Sequence, residues 1–397
     1  MKKELKFRII LWVFLLIVYG LCLWVTLLCI SKFNKGKELD YGDTWRKDGL
    51  GLGGFLKENF DAMVTDGYGG RVEWKTNFYG FRNNYEVRQN PDNGIIRIIS
   101  MGDSFTVGYR IRQESTFSAL LEKYFNSKSN EVKYEILISC IEDSVYGLFY
   151  LAKYGIIFKP KVIILGLTLG NDIAESYERL DQKGRFVLND EDGSVRMNVN
   201  PPQGRFEDDL KKLLIPEECL ANQRTVDRSK IPNRGESIIS CSPQRRSPRL
   251  FDNSNGLGIY LKNAPLEINE AYSRLFRVLK GFKILTDKLN IEFVIVLFPQ
   301  RFQIQEEDWF ATTENYRLKD DCFDLWKPNN LILDFCKKNN IICIDPTFKM
   351  IQIYNRERKS LYFRLGDMHL NALGNKALYE SIKDEIYDMI RSKHVEK

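Results

Sequence analysis

Histidine is nearly missing from this chain. Only His369 and His394 occur in 397 residues. His394 sits in a charged tail, which leaves His369 as the one residue placed for proton transfer near neutrality. No CxxC pair and no Cys/His spacing suited to zinc occurs among the eight cysteines. That excludes a metal site of the common kinds. No basic block interleaved with aromatics is found, and the net charge is a modest +6. A nucleic-acid footprint is therefore excluded. No internal repeat is present, so solenoid and propeller arrays drop out too.

Long apolar runs are also scarce, with one exception. Ile9 to Ile30 is almost purely apolar. At about 1.5 Å per residue such a run spans a bilayer core of about 30 Å. Lys2, Lys3, Lys6 and Arg8 precede it, and Lys32, Lys35 and Lys37 lie beyond it. It is read as an uncleaved signal anchor, residues 1–31, with the N-terminus inside and the bulk of the chain extracytoplasmic. A cleaved signal peptide is the rival, but its apolar region is usually about 7–15 residues with small residues at the cut. Cys29 suggests a lipoprotein, yet Leu28 before it is too bulky.

Residues 32–90 are polar and rich in Gly, Asp and Asn, and they read as a juxtamembrane stalk ordered against the globular domain. From residue 91 the pattern alternates. Strands are expected at Ile95–Met101, Tyr134–Ser139, Val162–Leu167, Phe293–Phe298 and Ile341–Ile344. Helices are expected at Ser115–Phe125, Tyr146–Tyr154, Tyr272–Leu289, Leu331–Lys338 and Leu373–Ile390. The fold class is α/β, with a parallel five-stranded sheet and right-handed crossovers. A polar, proline-bearing insertion from about 175 to 263 interrupts the alternation. It holds a candidate hairpin around Asp192-Gly193, and leaving the strand end after Asn171, it is expected to overhang the site rim. Cys219 and Cys241 flank part of it, and a disulfide between them is one reading. Buried free thiols are the other, and that suits Cys343.

Gly102-Asp103-Ser104-Phe105 closes the first strand. It is either an ordinary βα turn or a nucleophile at the carboxyl end of a buried strand. A serine hydroxyl needs an adjacent base, and a base needs an orienting carboxylate. Asp367-Met368-His369 supplies both on one loop. Gly170-Asn171-Asp172 ends another strand, where an asparagine amide suits an oxyanion hole or a helix cap.

Together these blocks resemble those of the GDSL/SGNH hydrolases. Gly102-Asp103-Ser104-Phe105-Thr106 looks like the nucleophile block, Gly170-Asn171-Asp172 the asparagine block, and Asp367-Met368-His369-Leu370-Asn371 the Asp/His block. Asn77-Phe78-Tyr79-Gly80-Phe81-Arg82 is similar to a lead-in of membrane-anchored bacterial members. The resemblance covers about residues 75–392. It implies a three-layer flavodoxin-like fold over residues 91–397 and an acyl-serine chemistry without cofactor or metal. In that scheme Ser104 is the nucleophile, His369 the base and then acid, and Asp367 its orienter. Asn171 and the Ser104 N–H would stabilise the oxyanion. The implied substrate is an acylated carbohydrate or small ester, acetyl being the expected group. An O-acyltransferase using the same residues and a non-catalytic assembly protein are the alternatives. One departure stands out. The family's second block usually carries an oxyanion glycine, whereas Ser139-Cys140-Ile141-Glu142-Asp143-Ser144 has none before Gly147.

Overall fold

In a computed structural model of the chain, the described residues are 18–21, 24, 39–45, 56–65, 70–180, 186–197, 215–221, 256–363 and 367–395. The apolar run Ile9–Ile30 lies outside them, save five residues. Among the described residues no helix is long and apolar enough to cross a membrane.

Three short strands come first: β1 (Leu39–Asp40), β2 (Asp61–Thr65) and β3 (Arg71–Lys75). β2 pairs parallel with β1 and antiparallel with β3. The main sheet comprises β4 (Ile95–Gly102), β5 (Lys133–Cys140), β6 (Val162–Thr168), β9 (Glu292–Phe298) and β10 (Ile342–Ile344), every pair parallel. Between β6 and β9 an antiparallel hairpin, β7 (Phe186–Leu188) with β8 (Val195–Met197), turns at Asp192-Gly193 as expected. Strands buried on both faces read as near-continuous apolar runs, which is why β4 and β6 were legible.

The sheet order is β10-β9-β6-β4-β5. Chain order reverses at β4, whose neighbours β5 and β6 lie on opposite sides. This is the flavodoxin-like order, and the β4 end is its switch point, where such sheets place their ligands. On one face pack α2 (Phe117–Lys128) and α6 (Ala372–His394), through Phe117, Leu121 and Phe125 against Leu378, Ile382 and Ile386. On the other pack α3 (Ser144–Lys153) and α5 (Leu266–Lys288). Three layers result, so the expected fold class holds.

The described part of residues 32–90 packs against the main domain. Leu56, Val64 and Trp74 share a core with Val107, Ile138 and Cys140 of the main domain. Asn83 also covers the β5 edge: its Nδ2 donates to the Ile136 carbonyl at 2.9 Å and its Oδ1 accepts from the Ile138 N–H at 3.0 Å. Covering an edge in this way removes a template for stray pairing.

One difference stands against the sequence reading: Cys219 is bonded to Cys322 rather than Cys241, with Cα atoms 5.7 Å apart. Backbone pairing explains the choice. The Lys319 N–H donates to the Cys219 carbonyl at 2.8 Å and the Ala221 N–H to the Arg317 carbonyl at 2.7 Å, which lays 219–221 along 317–319. Cys241 lies outside the described residues, as does most of the insertion. Cys140 and Cys336 are buried free thiols, and Cys343 is a half-buried one.

Candidate active site

Ser104 opens the short helix α1 (Ser104–Val107) directly after β4. Asp103 caps it, its Oδ1 accepting from the Phe105 N–H at 2.9 Å. The turn is tight enough to demand glycine before it. A Cβ on Gly102 would lie 2.1 Å from Thr106 Oγ1 and 2.7 Å from the Gly166 carbonyl oxygen.

The Ser104 Oγ lies 2.6 Å from His369 Nε2, across 265 positions of sequence. On the far side of the ring, Nδ1 is 2.7 Å from Asp367 Oδ1, which also accepts the His369 backbone N–H at 2.8 Å. A carboxylate only accepts, so Nδ1 carries the proton and Nε2 presents its lone pair to the serine. Burial works against the Asp367 charge, but the bonds from His369 and then Arg110 outweigh it and hold the carboxyl down at about 2. The rings of Phe105 and Tyr109 pack against the imidazole with centroids at 4.8 and 4.7 Å.

Asn171 stands at the end of β6, on the same rim. Its Nδ2 donates to Asp103 Oδ2 at 3.1 Å. One amide hydrogen is thereby fixed, and the second remains to donate elsewhere. Thr168 Oγ1 donates to the other Asp103 oxygen at 3.0 Å. Burial lifts the Asp103 carboxyl above its usual range, against the pull of the Asn171 bond. Asp172 then ties the rim together. It accepts from the Thr168 N–H at 2.7 Å and the Ser144 N–H at 3.1 Å, joining β6 to the start of α3.

The glycine-less loop can now be placed. The Ile141 N–H is spent on the Gly102 carbonyl at 2.8 Å, and the Ser144 N–H on Asp172. The Glu142 and Asp143 N–H groups have no acceptor among the described residues. The Glu142 carboxylate meets Arg179 Nη2 at 2.7 Å, and Arg179 Nε stands 3.3 Å from Asp143 Oδ2. Arg179 ends the helix α4 (Asp172–Arg179) that begins at Asn171. The side chain at 142 thus points to an ion pair, and the loop keeps two main-chain donors without glycine.

No family model matches the sequence, and no curated protein matches it. Solved structures similar to the chain include a two-domain esterase described as active on acetylated mannans. Identity there is 10% over 75% of this chain and 50% of that one, with a TM-score of 0.38. The chain thus spans about half the length of that protein. Others are an acetyl xylan esterase (13% identity, 73% and 100% covered, TM-score 0.36) and the psychrotrophic esterase EstA from Pseudoalteromonas sp. (11%, 74% and 98%, 0.33). Likeness at this level carries no weight for activity. The chemistry rests on the chain's own side chains.

All four side chains singled out in the sequence lie on one rim: Ser104, His369 and Asp367 in hydrogen-bonded sequence, and Asn171 joined to Asp103. Sequence reasoning missed three contributors. Asp103 passed as a turn residue, though it orients Asn171. Arg110 carries no sequence signal, yet its Nη1 donates to Asp367 Oδ2. Arg82 lay in the lead-in without a role. It is fully buried, donates to the carbonyls of Val107, Gly108 and Ile111, and stacks 3.6 Å from the Trp74 ring centroid. It therefore holds the exit of the serine-bearing turn. Burial pulls its guanidinium down to about 9, so it remains charged at neutral pH.

Proposed function

We propose that the chain is a serine ester hydrolase working through an acyl-serine intermediate. The observation that carries this is the continuous pairing of Ser104 Oγ, His369 and Asp367. His369 Nε2 takes the Ser104 proton as Oγ attacks the ester carbonyl carbon. The negative charge that develops on the carbonyl oxygen is met by the free Asn171 amide hydrogen, the Ser104 N–H and the Glu142 N–H. His369 then protonates the departing alkoxide. Water, deprotonated by the same nitrogen, releases the acid and restores Ser104. Asp367 keeps the imidazole in the required tautomer throughout. Every role falls to a side chain or main-chain group of this chain, and none requires a metal or cofactor.

The substrate we infer is an acylated glycan at or outside the cell surface, acetyl being the group removed. The resemblance of the three blocks to the SGNH enzymes supports this class. The outward placement is supported by the charged flank and apolar run of the N-terminus, and by the Cys219–Cys322 bond, since disulfides persist in oxidising compartments.

The test is hydrolysis of p-nitrophenyl acetate by the wild type beside Ser104→Ala and His369→Ala. Both variants should lose turnover, and a fluorophosphonate probe should label the wild type alone of the wild type and Ser104→Ala. A wild type no faster than Ser104→Ala, and unlabelled by the probe, ends the hydrolase reading.

A further inference from the structure

Arg110 occupies a backbone conformation that its side chain does not favour. Its φ is +64°, in the left-handed region. A residue with a β-carbon is disfavoured there. Such outliers invite a search for function. The side chain is 7% exposed. Its guanidinium lies 4.2 Å from the Phe363 ring centroid and donates to Asp367 Oδ2. Phe363 is itself part of the histidine loop: its N–H donates to the His369 carbonyl at 3.0 Å, and Tyr362 pairs with Leu370 beside it. One side chain from the serine-bearing segment thus grips both the acid of the triad and the loop that carries the base.

We propose that Arg110 is a positioning residue of the catalytic pair, holding one oxygen of Asp367 so that the other stays on His369 Nδ1. The proposal rests on the hydrolase reading. A carboxylate turns about its Cβ–Cγ bond, and its oxygens are chemically alike. Oδ1 already accepts two hydrogen bonds from His369. With Oδ2 bound to a stacked guanidinium, rotation would break both sets at once. A planar fork lying on an aromatic face is the side chain suited to this, and a lysine point charge is the poorer substitute.

The experiment compares Arg110→Met and Arg110→Lys with the wild type on p-nitrophenyl acetate. Met keeps length and apolar contact but no cation. It should lower kcat about 10- to 100-fold, the range expected from misplacing a catalytic group, with KM within twofold. Lys should recover kcat to within about fivefold of the wild type, because the cation is kept without the fork. Fluorophosphonate labelling of Ser104 should slow in step with kcat. Turnover by Arg110→Met within twofold of the wild type overturns the proposal. Equal losses in Met and Lys also overturn it, since a mere strut would behave so. If Met does not fold, Arg110→Gly suits the left-handed backbone and replaces it. Methylguanidinium should then restore its turnover, and a folded Gly variant without rescue overturns the proposal. A wild type without Ser104-dependent turnover is a different result, and sinks the hydrolase reading instead.

Discussion

Asn171 Nδ2 donates to Asp103 Oδ2 at 3.1 Å, so the residue before the serine sets the angle of the amide proposed to meet the oxyanion. This makes the two residues one unit. Asn171→Ala should lower kcat about 10²–10³-fold with little change in KM, as expected for the loss of an oxyanion donor. Asp103→Asn keeps a cap for α1 but presents an amide where Asn171 needs an acceptor, and should cost about 10²-fold by the same misdirected donor. The double variant should be no slower than Asn171→Ala alone, because coupled sites are not additive. Multiplying losses would show that Asp103 acts by another route.

The lead-in segment reaches the site through Arg82. Removing that guanidinium leaves the carbonyls of Val107 and Ile111 buried without their donor, whereas the Gly108 carbonyl keeps the Ile111 N–H at 3.3 Å. Each orphaned acceptor costs about 1–3 kcal/mol, so Arg82→Met should lose at least about 2 kcal/mol in urea unfolding. A loss below about 1 kcal/mol would mean that water or a shifted backbone takes over these carbonyls.

Stability should fall as pH rises from about 4 to 7. Asp143 and Asp172 are both buried, and burial lifts both carboxyls above their ordinary value, Asp143 to about 6. The ordinary value for either is 3.8. Between 3.8 and about 6 the folded chain therefore holds more protons than the unfolded one, and stability declines with pH. Asp367 has the opposite sign. Held at about 2, it contributes stability that is present above 3.8 and lost as pH falls towards 2. Melting temperatures should thus be higher at pH 5 than at pH 7.5. Asp143→Asn keeps a good cap for α3 and should flatten that slope. An unchanged slope would show that Asp143 is ionised in the folded chain throughout.

The sheet was legible because strands buried on both faces are written as near-continuous apolar runs. Val162–Leu167 holds only apolar residues and Gly166. The triad was legible for a different reason: with so few histidines, His369 had no competitor. The helices Glu306–Tyr316 and Thr347–Glu357 were not foreseen; in the first, polar residues dilute the apolar face. The sheet β1–β3 was missed because its strands are short and half-exposed, and only Trp74 and Val64 are buried in β2 and β3. Arg82 and Arg110 were invisible for a deeper reason. An arginine in sequence reads as surface, and only tertiary packing shows that these two are buried against carbonyls, rings and a carboxylate.

Cysteine pairing shows the same limit, and it can be checked. Flanking positions suggested Cys219 with Cys241, whereas main-chain pairing of 219–221 with 317–319 brings Cys322 to Cys219. Non-reducing peptide mapping should find one peptide pair linked through Cys219 and Cys322, with Cys241 outside it. The bond closes a loop of 103 residues. Chain-entropy arguments give about 4–5 kcal/mol for a loop of that size, although engineered and native bonds often deliver less. Cys322→Ser should therefore unfold at clearly lower urea, and reductant should destabilise the wild type but not the variant. None of the hydrogen bonds or ring contacts of Ser104, Asp367 and His369 described above reaches Cys219 or Cys322, so turnover per folded molecule should stay within about twofold. A variant that keeps its stability, or a map that links Cys219 to Cys241, would remove this support for an oxidising compartment.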